Sequence, residues 1–104
     1  SIYRVLAASK MSAPLSETVT LAGKHCESGD VVIPSASLPP LSAGDVLVVP
    51  ATGAYNYSMS SNYNRVPRPV AVVVSEGNAE VILRRETYED LVRQDRLPEA
   101  LKPA

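Results

Sequence analysis

Six short apolar runs, cut apart by proline and glycine, constrain this chain more than any other feature. They are Ile2–Ala8, Glu17–Ala22, Val31–Ile33, Asp45–Val49, Val70–Ser75 and Ala79–Arg84. Each is too short for a core helix and suited to a strand. Glu17–Ala22 has a period of two, with Val19 and Leu21 on one side and Thr18 and Thr20 on the other. Val70–Ser75 and Ala79–Arg84 flank Glu76-Gly77-Asn78 and read as a hairpin. Pro50 stops the run before it, since proline cannot donate to a central ladder. All five aromatic residues are Tyr, with no Trp and no Phe. The core is therefore expected to be aliphatic and β-branched, which suits strands. One helix is predicted: Thr87 stands at an N-cap with Asp90 three residues on, Leu91 and Val92 give an apolar edge, and Leu97-Pro98 ends it. The expectation is a mainly β sandwich or barrel, residues 1–104 as one domain, with a short C-terminal helix.

The connections are equally marked. Lys10–Ser16 reads as a loop, and Ser28-Gly29-Asp30 as a turn. Pro34–Gly44 holds three prolines and three serines and is expected to lack a core face. Ala51–Pro69 is nineteen residues without a period, rich in Ser, Asn and Tyr. A structureless loop of that length is usually functional.

Ten basic and eleven acidic residues leave a net charge of −1. No basic footprint exists for nucleic acid or for an anionic membrane, and no apolar run is long enough to span a bilayer. A single cysteine excludes an internal disulfide, so a reducing compartment, the cytoplasm, is expected. The chain starts without Met, in strand-like sequence and without a signal-peptide pattern, so upstream residues are expected.

The chemistry gathers at His25-Cys26-Glu27-Ser28-Gly29-Asp30. The commoner fate of a lone cysteine is burial as a small hydrophobe. A strand end crowded with polar groups is a poor place for that, and a thiol tuned toward neutrality can deliver a proton. A His25–Cys26 nucleophile pair is disfavoured, because adjacent strand residues point to opposite faces. One Cys and one His fall short of a structural metal site, so none is expected. His25 reads as a surface or packing histidine. Glu27 and Asp30 are either a solvated turn or a carboxylate for an ammonium group, and residue chemistry alone does not choose. Gly53 permits a close backbone approach, and Tyr55 offers a ring and a hydroxyl at the start of the long loop. Ser58–Asn64 offers donors to a partner or a pocket wall. Arg84, Arg85, Glu86 and Glu89 read as a solvated ionic face.

Three stretches together carry a resemblance. They are GKHCESGD at 23–30, TGAYNYSMSSNYNRVPRP at 52–69 and RRETYEDLVRQD at 84–95. In this order the chain resembles the C-terminal domain of the diaminopimelate decarboxylases, pyridoxal phosphate enzymes of the alanine-racemase fold type, and is most similar to cyanobacterial members. The resemblance implies an N-terminal (β/α)8 barrel, absent from this chain, whose lysine carries the cofactor. It implies a homodimer with shared active sites that converts meso-2,6-diaminopimelate to L-lysine and carbon dioxide. By motif, Cys26 corresponds to the proton donor, Glu27 to the substrate-binding carboxylate and Tyr55 to a tyrosine contacting cofactor and substrate. Cys26 and Glu27 are implied to act in the partner's site. Arg65-Val66-Pro67-Arg68-Pro69 departs from the family's Arg-Pro-Arg-Pro run. No family role transfers to Tyr3 or Arg4, and Lys10, Lys24 and Lys102 lack the barrel-strand context of a cofactor lysine.

Two other readings stand beside this one. A stand-alone, non-catalytic β binding module fits the Tyr/Asn/Ser loop and the missing lysine. The same domain of an ornithine, arginine or carboxynorspermidine-type decarboxylase shares the fold and the cysteine.

Overall fold

A computed structural model describes residues 3–104, and Ile2 of the first expected strand lies outside the described residues. Among the described residues, six strands and two short helices fall into two compact units that divide after Met59. The strands pair antiparallel, two by two, and each expected run contributes one of them. The mainly β expectation therefore holds.

In the first unit β1 (Leu6–Ala7) pairs with β4 (Leu47–Val48), and β2 (Glu17–Ala22) pairs with β3 (Val31–Leu38). The last strand corrects the sequence reading, which ended it at Ile33 and gave Pro34–Gly44 no core face. Ile33, Ala36, Leu38 and Pro39 are buried, as is Ala7. The ladder explains how. Leu21 faces Ile33 and Val19 faces Ala36, so β3 takes three steps while β2 takes two. That bulge resets the alternation, letting Ile33 and Ala36 face inward although they are an odd number apart. Pro34 falls inside the bulge, where a missing N–H is tolerated. The Thr20 hydroxyl donates to the Pro34 carbonyl at 2.9 Å. Val19 and Leu21 are half-buried and Thr18 and Thr20 exposed, as the alternation predicts.

The long connection after Pro50 is not structureless. Ala51 turns the chain with a positive φ of 59°, and α1 (Gly53–Met59) follows. Thr52 starts it: its carbonyl accepts the Asn56 N–H at 2.9 Å, and its hydroxyl donates to the Val49 carbonyl at 3.2 Å.

The second unit holds the hairpin of β5 (Ala71–Ser75) and β6 (Asn78–Leu83). Ser75 pairs with Asn78, so the loop is Glu76-Gly77 alone, with φ of 52° and 79°. Positive φ at both positions is the type I′ geometry that matches strand twist. α2 (Tyr88–Val92) has the predicted capping box, with reciprocal bonds between Thr87 and Asp90. It ends at Val92, well before Leu97-Pro98, and a 3₁₀ turn at Glu99–Leu101 occupies the expected tail.

The charges near α2 are paired more specifically than the sequence suggested. Arg84 grips Asp90 with two nitrogens, at 2.6 and 2.8 Å. That guanidinium, helped by the Thr87 N–H, holds the Asp90 carboxyl far below the usual carboxylate range. Glu86 accepts from the Arg68 backbone N–H at 2.6 Å and from Asn62 at 2.7 Å, which lowers its pKa as well.

Candidate active site

The hairpin loop between β2 and β3 carries Gly23 to Asp30, and Asp30 closes it. The Gly23 N–H donates to the Asp30 carbonyl at 2.8 Å, and the Asp30 N–H donates to the Glu27 carbonyl at 3.1 Å. The Asp30 carboxylate accepts the His25 N–H at 2.8 Å. Ser28–Asp30 forms a 3₁₀ turn, entered from an extended Glu27. The two glycines of the block have separate steric reasons. A Cβ on Gly23 would collide with the Asp30 carboxylate, while one on Gly29 would stand 2.6 Å from a Glu27 carboxylate oxygen. Real Cβ contacts do not come within 3.0 Å, so both positions need glycine for these side chains to lie where they do.

Cys26 is exposed on this loop, which rules out the buried-hydrophobe reading. His25 and Cys26 lie in the loop rather than on a strand, so the argument from opposite strand faces does not apply to them. Their surroundings differ all the same: His25 is half-buried and Cys26 exposed. The structure also separates the two carboxylates that the sequence left equivalent. Asp30 is committed to the backbone, and Glu27 lies over Gly29 with no hydrogen-bonding partner for its carboxylate among the described residues.

Tyr55 sits on α1 and is 71% exposed. Its N–H and carbonyl bond within that helix, to the Thr52 carbonyl and the Ser58 hydroxyl. The Tyr3 hydroxyl meets the Asn56 side chain at 3.4 Å and ties the start of the chain to the same helix. Several donors of the Ser58–Asn64 stretch serve the protein itself. Asn62 donates to the Val66 carbonyl and to Glu86, and Arg68 binds the Ser60 hydroxyl and the Asn62 amide oxygen. Asp30 is the residue that sequence reasoning undervalued, and its signal was its spacing from Gly23, which only the folded loop reveals.

Of the lysines, Lys10 is paired with Asp45 and Lys102 with Glu99, both at 2.8 Å. No group of three or more potential metal ligands occurs among the described residues. No helix among them is long and apolar enough to cross a membrane. A shallow cleft of about 390 Å³ in the second unit is lined by Arg65, Tyr88, Leu91 and Val92, none of them a predicted site residue.

The family model for the pyridoxal-dependent decarboxylase C-terminal sheet domain matches residues 2–53, which include the whole Gly23–Asp30 loop. The chain belongs to this family. Diaminopimelate decarboxylase of Synechocystis sp. is 58% identical over 97% of this chain. That of Bacillus subtilis is 50% identical over 89%. The crystal structure of diaminopimelate decarboxylase from M. jannaschii superposes with a TM-score of 0.87 at 35% identity, covering 98% of this chain. The chain spans only 22%, 21% and 23% of the lengths of these three relatives. A further structure of the M. jannaschii enzyme, in complex with L-lysine, matches at 42% identity with a TM-score of 0.77, over 83% of this chain and 20% of that one. This family of decarboxylases thus accounts for the block that carries the chain's only thiol.

Proposed function

We propose that this chain is the C-terminal domain of a diaminopimelate decarboxylase, a cytoplasmic homodimer that converts meso-2,6-diaminopimelate to L-lysine and carbon dioxide. The observation that carries the proposal is the exposed Cys26, held on a loop whose flanking residues are both bonded to Asp30. The relatives' names and the L-lysine complex of one of them support this substrate class.

The residues present fit a cofactor at its edge rather than at its anchor. Tyr55 offers an exposed ring and hydroxyl, and Cys26 an exposed thiol. Lys10 and Lys102 are engaged in ion pairs, and Lys24 lies exposed on the hairpin loop. The anchoring lysine is accordingly assigned to an N-terminal (β/α)8 barrel outside residues 1–104. Pyridoxal phosphate, when bound, supplies the electron sink for the pair left as the carboxylate departs.

The chain's own residues do the rest. Cys26 holds a proton on Sγ and delivers it to the α-carbon that has lost carbon dioxide, and solvent then restores the thiol. Glu27 accepts a charge-assisted hydrogen bond from the substrate's distal ammonium. Tyr55 packs against cofactor and substrate. Cys26 and Glu27 serve the site of the second subunit. Strands β5 and β6 expose Val72, Val74, Val81 and Leu83, an apolar surface of the kind that marks interaction sites and that the rest of such an enzyme would cover.

The test uses the full-length enzyme. Cys26→Ala is expected to lower kcat by about 10²- to 10⁴-fold, the range for a general acid, with KM changed only a few-fold. An unchanged kcat refutes the proton-donor role. Turnover of diaminopimelate by the 104-residue chain alone would refute the domain assignment.

A further inference from the structure

We propose that Asp30 is a positioning residue, which sets Cys26 and Glu27 together by fixing the backbone on both sides of the thiol. The inference rests on the roles proposed above for those two residues. Asp30 reaches the loop at three points. Its carboxylate holds the N–H of His25, the residue before Cys26, at 2.8 Å. Its own N–H holds the carbonyl of Glu27, the residue after, at 3.1 Å. Its carbonyl receives the Gly23 N–H at 2.8 Å and so closes the base of the hairpin. Cys26 is thus the one residue between two backbone groups bonded to the same aspartate. Gly23 completes the device, because any Cβ there would occupy the place of the Asp30 carboxylate.

An exposed thiol on an unbraced loop samples many positions, and proton delivery demands one. Misplacement by about 1 Å is enough to cost a reaction on the order of 10²-fold. The carboxylate has a particular advantage over a neutral side chain, because a backbone N–H bonded to a charged acceptor makes a shorter and stronger bond. The Glu27 side chain takes no part in this bracing. Its carboxylate lies over Gly29 and holds no backbone N–H among the described residues.

In the full-length enzyme, Asp30→Ala is expected to lower kcat by about 10- to 100-fold and to raise KM, whereas Cys26→Ala moves kcat alone. Asp30→Asn retains an oxygen for the His25 N–H and should recover most of the lost kcat. Gly23→Ala, which displaces the carboxylate without removing it, should reproduce the Asp30→Ala pattern. Hydrogen exchange at the His25 amide should quicken in Asp30→Ala and Gly23→Ala and stay slow in Asp30→Asn, with little change in thermal midpoint. Unaltered His25 exchange in Asp30→Ala overturns the inference. So does a loss of activity that tracks a fallen midpoint and is not rescued by Asn. If the exchange results hold while Cys26→Ala leaves turnover intact, the bracing role stands and the proton-donor role of Cys26 fails.

Discussion

Gly29→Ala isolates the placement of the Glu27 carboxylate from everything else in the site. The added methyl carbon would lie 2.6 Å from one Glu27 oxygen and 3.3 Å from the other. The carboxylate must therefore retreat by about 0.8 Å to reach ordinary contact at 3.4 Å. Glu27 is exposed and its chain flexible, so the retreat costs the fold little. Gly29 also lies outside the positive-φ glycines, so its backbone accepts alanine, and the loss of glycine's freedom in the unfolded chain stabilises by roughly 0.4–1 kcal/mol. Binding is where the change appears. A hydrogen bond to a charged group is worth about 1.5–3 kcal/mol. At 1.4 kcal/mol per factor of ten, its loss raises KM for diaminopimelate by about 10- to 100-fold. Because Cys26 keeps its braces, kcat should stay within about 3-fold, the loss of uniform binding that raises KM alone. Steady-state decarboxylation by the full-length enzyme, with a thermal melt of the same sample, reads all three quantities. An unchanged KM would show that Glu27 does not bind the substrate from this position, and a fall in kcat equal to the rise in KM would place the effect on Cys26.

Two further outcomes concern stability. Leu38 is 1% exposed, so Leu38→Ala should cost about 2–5 kcal/mol in urea unfolding, whereas Leu15→Ala, at a residue 65% exposed, should cost less than about 0.5 kcal/mol. Equal losses would mean that β3 does not carry the core to Leu38. Asp45, Glu86 and Asp90 all have pKa values lowered in the folded protein. A depressed folded pKa stabilises above the unfolded value, so their contribution is intact at neutral pH. It begins to fade as pH drops past the ordinary 4.5 for glutamate and 3.8 for aspartate, and is gone below the depressed folded values. The thermal midpoint should fall across that acid range, less steeply in Asp90→Asn, and an unaltered acid limb in that variant would deny Asp90 its part.

What could be read from the sequence is what short-range rules decide. The alternation of Glu17–Ala22, the hairpin of β5 and β6 and the capping box at Thr87 depend on residues a few positions apart, and each formed, the hairpin with Asn78 in the strand rather than in the expected Glu76-Gly77-Asn78 turn. The core half of β3 was hidden because its bulge breaks the period that marks a strand, and because Pro34, Pro39 and Pro40 carry the composition of a loop. Helix α1 was hidden for a different reason. Tyr, Asn and Ser are poor helix formers, and the segment has no buried face to give it a period. In the site, Cys26 stood out as a chemical type, whereas its surroundings did not. The reason for Gly23 lies seven residues away in the Asp30 carboxylate, a contact that exists only once the hairpin has closed.

The same distinction separates the carboxylates that build this protein from the one assigned to substrate. Asp30, Asp45, Glu86 and Asp90 each accept a backbone N–H, from His25, Ser42, Arg68 and Thr87 respectively. All four donors lie in irregular segments, where no ladder satisfies the amide and a charged acceptor supplies the strongest substitute. Removing such an acid leaves an amide without its partner, so the damage spreads to whatever the segment carries. Glu27 stands apart. It lies beside the thiol, and among the described residues its carboxylate braces nothing. Exchanging it for glutamine should therefore disturb a bound ammonium group and leave the loop in place, whereas Asp30→Ala tests the loop itself. A carboxylate available to a ligand next to one that holds the backbone is the arrangement expected where charge recognition and proton delivery must be kept in register.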